Sequence, residues 1–330
     1  MKSDMKKGAQ QAAKLLNIKK GEKVVIITDK ETESIANAIH HEILGYSKDV
    51  EIYYMEGFGE RPVKFNDFIK QRILNADVAY YIAKGVSGEL QSFRMPLIDA
   101  VRENKKIRYA HMINVEEGMM STGMAVDYDE VNRVSKKVYD IVSKSKEIHV
   151  TTPSGTDLKI KLNPKYKWIN SDGTIIPGKW VNLPTGEVFT APESGEGVIV
   201  VDGVLGDHFS HKYGTLEKTP VRINVKKGRA ISVVCKNKEL LEEFEKYIHQ
   251  DENANRMGEV GIGTNVGLKK LIGNLLQDEK FPGVHIAFGD AYGKETGANW
   301  SSKGHVDAVM KECTILVDGK KIMEKGKFLI

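Results

Sequence analysis

Cysteine is nearly missing from this chain: among 330 residues only Cys235 and Cys313 carry a thiol, far apart and without C-x-x-C spacing. That excludes a disulfide scaffold and a cysteine zinc ribbon, and it suits a reducing cytoplasm. Charge of one sign is lacking too. The 49 basic and 45 acidic residues are interspersed and leave a formal +4, so no basic stripe argues for nucleic acid. The Lys-rich stretches at Lys136-Lys137, Lys144 to Lys146 and Lys226-Lys227 read as solvated surface. No apolar run approaches the ~20 residues a membrane span needs. Met1 to Leu16 is charged and has no long apolar centre, so no signal peptide is expected there. A G-x-G-x-x-G fingerprint after the first strand is absent, as are internal repeats and low-complexity linkers. These absences describe a cytoplasmic protein with neither nucleic acid nor membrane as a partner.

A hydrophobic content of 41% with 28% charged residues is that of a globular protein, and the length predicts two domains. Over residues 1–146 strands and helices alternate. Lys23–Thr28, Val50–Met55, Val78–Ala83 and Ile107–Ile113 are extended runs, and residues 32–44, 65–73 and 95–103 space their apolar side chains as helices. Strands separated by helices of roughly ten residues predict an α/β domain with an open, mostly parallel sheet covered on both faces. Val131, Val134, Val138, Ile141 and Val142 then form one stripe of a helix over 127–146. Beyond it, residues 147–330 become hairpins around Pro153–Thr156, Lys226–Arg229 and Asp318-Gly319, with one helix from Lys238 to about Gln250. A β-rich α+β second domain is expected.

The chemistry concentrates in that second half. His285 lies in the apolar run Pro282–Gly289, and twenty residues later comes His305-Val306-Asp307. In an extended segment His305 and Asp307 share a face. Two imidazoles and a carboxylate from two strands predict a divalent-metal site. Glu187, in Asn182–Pro192, is framed by Pro184, Gly186 and Pro192, which fix the backbone around it. Glu259, in Gly258-Glu259-Val260-Gly261, sits between glycines that admit a ligand or a second backbone. Five such ligands suffice for a pair of catalytic ions. Tyr292, seven residues after His285, is placed to aim its hydroxyl at the same point. His208 and His211, three apart, lack a third ligand. His111 ends the last strand of the first half, where open α/β sheets present ligand-facing loops. Trp180 and Trp300 are candidate pocket walls.

The segments Asn182–Pro192, Gly258-Glu259, His285–Tyr292 and His305-x-Asp307, with the opening Leu16–Val24, resemble the M29 family of thermophilic metallopeptidases, that of aminopeptidases T and S. The shorter chain and the tight interval from His285 to His305 are similar to the family's compact branch. The resemblance covers nearly the whole chain. It implies a metal-dependent aminopeptidase releasing N-terminal residues from short peptides, with two divalent ions (zinc, cobalt, manganese or iron) on Glu187, Glu259, His285, His305 and Asp307. It implies Tyr292 at the site, Glu187 or Glu259 as general base, and a homodimer whose active sites face an enclosed cavity. A relative on the same fold, 2,5-dihydroxypyridine dioxygenase, suggests an alternative: His285, His305 and Asp307 would hold a single iron, Glu187 and Glu259 would contact an aromatic substrate, and His111 would act as a base.

Overall fold

The computed structural model describes residues 5–330; the first four, which begin the stretch read above as lacking a signal peptide, lie outside the described residues. The chain divides into two compact units. One comprises the residues up to Asp127 together with Gly173–Thr185, the other Tyr128–Asp172 together with Gly186–Ile330.

The first unit is built on a five-stranded sheet in the order Val50–Tyr54, Val24–Thr28, Val78–Ala83, Arg108–Ile113, Trp180–Asn182. Every pairing in it is parallel. Val24–Thr28 and Val78–Ala83 are buried at every position, as strands covered on both faces must be. Helices Lys6–Leu15, Glu33–Ile43, Asp67–Leu74 and Met95–Glu103 occur between or before the strands. The Asn66 side chain caps Asp67–Leu74 by accepting from the Ile69 amide at 3.0 Å. Phe93, Leu97 and Val101 pack with Ile27, Tyr81 and Tyr109 in this unit's core.

The second unit holds two antiparallel sheets. One has eight strands, ordered Arg229–Val234, Val221–Lys226, Pro192–Val201, Asp157–Leu162, Glu147–Thr151, Thr314–Val317, Lys320–Glu324, Lys327–Phe328. In Asp157–Leu162 exposed and buried residues alternate strictly, so one face meets water and the other the core. The other sheet has five strands, ordered His305–Met310, Gly283–Gly289, Met257–Gly263, Glu187–Thr190, Ile169–Ser171. Its two central strands, Met257–Gly263 and Gly283–Gly289, are buried throughout. Leu158 and Ile160 from the first sheet, Val260, Ile286 and Val306 from the second, and Val138 and Phe244 from two helices form a single apolar cluster. The helix Lys238–Ile248 contributes Leu240, Phe244 and Ile248, and starts at Asn237, whose side chain accepts from the Leu240 amide at 3.1 Å.

The division differs from the expected 146/147 boundary in two places. Helix Tyr128–Val142 groups with the β-rich unit because Val134, Val138 and Val142 belong to that unit's apolar cluster. Residues 173–185 return to the first unit because Trp180–Asn182 adds a parallel edge beside Arg108–Ile113. Three residues are too few for a periodic signal, and their strand partner lies about seventy residues earlier. No helix among the described residues is long and apolar enough to cross a membrane.

Phe244 has no exposed surface and packs edge-on against Phe209 at 5.7 Å. Phe244→Ala is expected to destabilise the second unit by about 3–5 kcal/mol. Ile231→Ala, at a position 60% exposed, is expected to change stability by no more than about 0.5 kcal/mol. Urea unfolding of the two variants checks the contrast, and equal effects would contradict the placement of the core.

Candidate metal centre

Strand register brings the five predicted ligands to one face of the five-stranded sheet. Gly263 pairs with Glu187, Gly261 with His285, Ala287 with Glu259 and Asp307, and Gly289 with His305. Directly opposed residues of antiparallel strands share a face, and so do residues two apart. Glu187, Glu259, His285, His305 and Asp307 therefore stand among Gly261, Gly263, Ala287 and Gly289, which leave that face nearly bare of other side chains. Gly261 is indispensable here: a Cβ at this position would lie 1.9 Å from His285 Nε2. Glu187 is set by Gly186, whose φ of 127° is a glycine conformation and whose absent Cβ leaves room for Val131 and Asn265. The glycine before Glu259 serves a close backbone crossing, since a Cβ on Gly258 would meet the Asp290 carbonyl oxygen at 2.4 Å.

The contacts centre on Glu259. Its Oε1 lies 3.0 Å from His285 Nε2 and its Oε2 lies 3.8 Å from His305 Nε2. Glu187 Oε2 is 3.5 Å from His285 Nε2, and Asp307 Oδ1 is 3.4 Å from His305 Nε2. Two groups result, Glu187–Glu259–His285 and Glu259–His305–Asp307, with ligand atoms in each within 4.8 Å of one another. All five side chains are buried or nearly so. His305 Nδ1 donates to the Asp290 carbonyl oxygen at 2.9 Å, which turns Nε2 toward the acids. His285 Nδ1 is buried without a hydrogen-bond partner. Carboxylates and imidazoles without thiolate, crowded in a largely buried site, fit a divalent ion of the zinc, cobalt, manganese or iron type.

Tyr292 joins them. Its ring centre is 4.5 Å from that of His305, and its backbone takes the left-handed conformation at φ 48°. Burial, reinforced by Glu259 and Asp307, holds its hydroxyl proton well above the usual range, so it remains a donor.

Two neighbours were not anticipated. Lys280 has no exposed surface, and its Nζ lies 2.7 Å from Glu187 Oε1 while also pairing with Glu279. In sequence, Asp278-Glu279-Lys280 precedes Phe281-Pro282-Gly283 and has the composition of a solvated turn; a lysine shut between carboxylates leaves no periodic trace. Burial raises the Glu279 carboxyl even though Lys280 opposes the shift.

The other candidates have partners of their own. His111 is buried in the first unit, stacked on Tyr81 at 4.9 Å with Nδ1 2.7 Å from the Tyr109 hydroxyl, and burial lowers its pKa to about 3. Trp180 meets it edge-on at 5.5 Å. His208 and His211 are exposed on the short helix Asp207–Tyr213, and His208 faces Glu243 at 3.4 Å. Trp300 is covered by the Arg256 guanidinium 3.5 Å above its ring and donates from Nε1 to the Gly289 carbonyl oxygen, a packing position.

Without an ion, the imidazoles balance the acids. Burial pulls His285 and His305 down, but Glu259 and Asp307 outweigh it, and their pKa values rise to about 9 and about 10. Burial pushes Asp307 up, His305 outweighs that as well, and the carboxyl falls to about 2. Both histidines are raised above their unfolded value of about 6.5. Their stabilising contribution is thus complete below that pH and lost as pH climbs through about 9 and then 10. The melting temperature of chelator-treated protein is therefore expected to fall between pH 7 and pH 10. Loading an ion must displace these protons, so calorimetry at pH 7 in buffers of different ionisation enthalpy is expected to show proton release. Release of none would contradict the charge assignment.

The sequence profile of the thermophilic metalloprotease family M29 matches residues 112–328. Aminopeptidase T from Thermus aquaticus is 29% identical over 56% of this chain and 49% of its own length. The 2,5-dihydroxypyridine 5,6-dioxygenase of Pseudomonas putida is 23% identical over 56% of this chain and 55% of its own length. The chain thus spans about half the length of the curated relatives it matches. Among solved structures, wild-type AmpT from Thermus thermophilus superposes with a TM-score of 0.70 at 20% identity, covering 100% of both chains. The Pseudomonas putida dioxygenase gives 0.72 at 16% identity over 98% of this chain and 96% of its own. At these identities the structural likeness establishes the fold. The profile match, over more than half of the chain, establishes the family: the chain belongs to the thermophilic metalloproteases of M29.

Proposed function

We propose that the chain is a metal-dependent aminopeptidase that hydrolyses the first peptide bond of short peptides at a two-ion centre. The observation that supports this best is the position of Glu259, with one carboxylate oxygen toward His285 and the other toward His305. In this reading Glu187 and His285 would hold one divalent ion, His305 and Asp307 the other. Bound there, the ions would lower the pKa of water toward neutrality and polarise the scissile carbonyl.

Glu259 faces both groups, and burial raises its carboxyl, which suits a proton acceptor better than Glu187, pinned by Lys280. Glu259 takes the proton of the attacking water and returns it to the departing amine. Tyr292, its proton held firmly, donates to the oxygen that gains negative charge. The Asp290 carbonyl keeps the His305 ring in the tautomer with Nε2 inward. The homodimer implied by the family resemblance belongs to the same proposal, and light scattering at twice the chain mass checks it.

The dioxygenase reading has the fold likeness in its favour. It requires His285 and Asp307 to share one iron, whereas their ligand atoms fall in separate groups that meet at Glu259. The peptidase reading uses both groups.

The test is a panel of aminoacyl p-nitroanilides and short peptides, free or acetylated at the N-terminus, with zinc, cobalt, manganese or iron restored after chelation. Free-amine substrates are expected to be cleaved, acetylated ones not, and chelation to abolish activity. Glu259→Gln is expected to lower kcat by about 10²–10⁴-fold. Protein that loads metal yet cleaves no peptide with any of the four ions, and takes up oxygen with a dihydroxypyridine, would overturn the proposal.

A further inference from the structure

Lys280 is a cation already in place among the proposed metal ligands. The short helix Leu275–Asp278 and the strand Gly283–Gly289 bracket it. Its amide donates to the Gln277 carbonyl at 3.0 Å, and its carbonyl accepts from the Asn265 amide at 2.9 Å, so its backbone is fixed on both sides. The ammonium takes Glu187 Oε1 at 2.7 Å and leaves Oε2 facing His285 at 3.5 Å. Glu279 closes the other side of the ammonium. Across the centre, Glu259 and Asp307 pair with imidazoles, and among the described residues no lysine or arginine side chain forms an ion pair with them.

We infer that Lys280 makes the two halves of the centre unequal, so that a divalent ion binds tightly on the His305–Asp307 side and weakly, exchangeably, on the Glu187–His285 side. The inference rests on the metal-centre reading above and adds to it an order of filling. An ion beside Glu187 must share that carboxylate with an ammonium and bear its like charge in an interior where water screens neither. An ion beside Asp307 meets no such competitor in contact. Lys280 is thus a positioning residue, acting through Glu187: it holds that carboxylate to one free oxygen, and Glu279 sets how strongly the ammonium leans on it.

Metal-binding calorimetry and elemental analysis of chelator-treated full-length protein titrated with zinc, then with cobalt, test this without reference to activity. The wild-type chain is expected to bind in two steps and to keep one ion through exhaustive dialysis. Lys280→Met frees Glu187 and Glu279 and is expected to tighten the weak step by about 10–100-fold, the range in which outer partners of metal ligands act, with two ions kept after dialysis. Glu279→Gln gives an independent arm that does not rely on folding of the apolar variant: deprived of its second carboxylate, the ammonium falls back on Glu187, so the weak step weakens further and the tight step stays. Lys280→Arg, which keeps the charge, is expected to keep the wild-type order. Two equal steps in the wild type would overturn the inference, as would a weak step that Lys280→Met loosens or leaves unmoved, or one that Glu279→Gln leaves unmoved. Failure of the wild-type chain to bind any ion is a different result, and it strikes the metal-centre reading itself.

Discussion

The candidate site depends on the confinement of several carboxylates in a buried cluster. Glu187, Glu259 and Asp307 are all buried, with Glu279 beside them. Removing an ion from water costs several kcal/mol even after relaxation, and like charges add to that cost. The fold meets it with a lysine on one flank and two imidazoles at the centre. Those imidazoles are drawn into their protonated form by the acids around them. Lys280 is covalently part of the protein and cannot leave, whereas protons on His285 and His305 can be exchanged for metal. The distinction separates what holds the fold together from what a metal would replace.

That arrangement is possible only because strand register leaves one sheet face empty. Central strands such as Met257–Gly263 and Gly283–Gly289 are buried on both sides, and in most sheets such positions would carry large apolar residues. Here the positions between the ligands are glycine or alanine. Gly261 shows the constraint most directly, since the His285 ring occupies the space its side chain would need. Strand propensity is given up at these positions, and packing on the opposite face compensates: Val260, Ile262, Ile286 and Val306 enter the main apolar cluster of the unit. A two-residue period thus keeps acid and oil on opposite sides of the same strands.

This explains what was legible in the amino-acid order. His305-Val306-Asp307 and Val284-His285-Ile286 show the alternation outright, and Glu187 and Glu259 carry the glycine and proline framing that fixes a carboxylate. The pattern points to a common face without distances, and register then brings the groups together. The parallel sheet of the first unit was equally readable from Val24–Thr28 and Val78–Ala83, buried on both sides and apolar throughout. Three things left no local signal. Trp180–Asn182 is short and pairs with a strand far away in sequence. Helix Tyr128–Val142 has the same stripe whichever core it covers. Lys280 and Glu279 look like surface until their partners, more than ninety residues from Lys280 in the case of Glu187, are known. His208 and His211 show the converse: a three-residue spacing on a helix puts two imidazoles near each other, but the helix Asp207–Tyr213 leaves them in solvent.

Fold alone does not choose between peptide hydrolysis and ring cleavage, because a peptidase and a dioxygenase superpose on this chain about equally well. The choice lies in side chains that backbone likeness cannot see. A centre with one ion on two histidines and an aspartate takes no metal ligand from Glu187 and would leave that carboxylate to face substrate. Here that glutamate is held by a lysine that is itself wholly buried and neutralised by a further glutamate. Three ionisable groups have been taken out of water to fix one carboxylate oxygen toward His285. Such an arrangement has a physical rationale if the Glu187 side of the centre receives a cation at some stage of the cycle, and the sharing of Glu259 between both sides places that stage next to the reacting water.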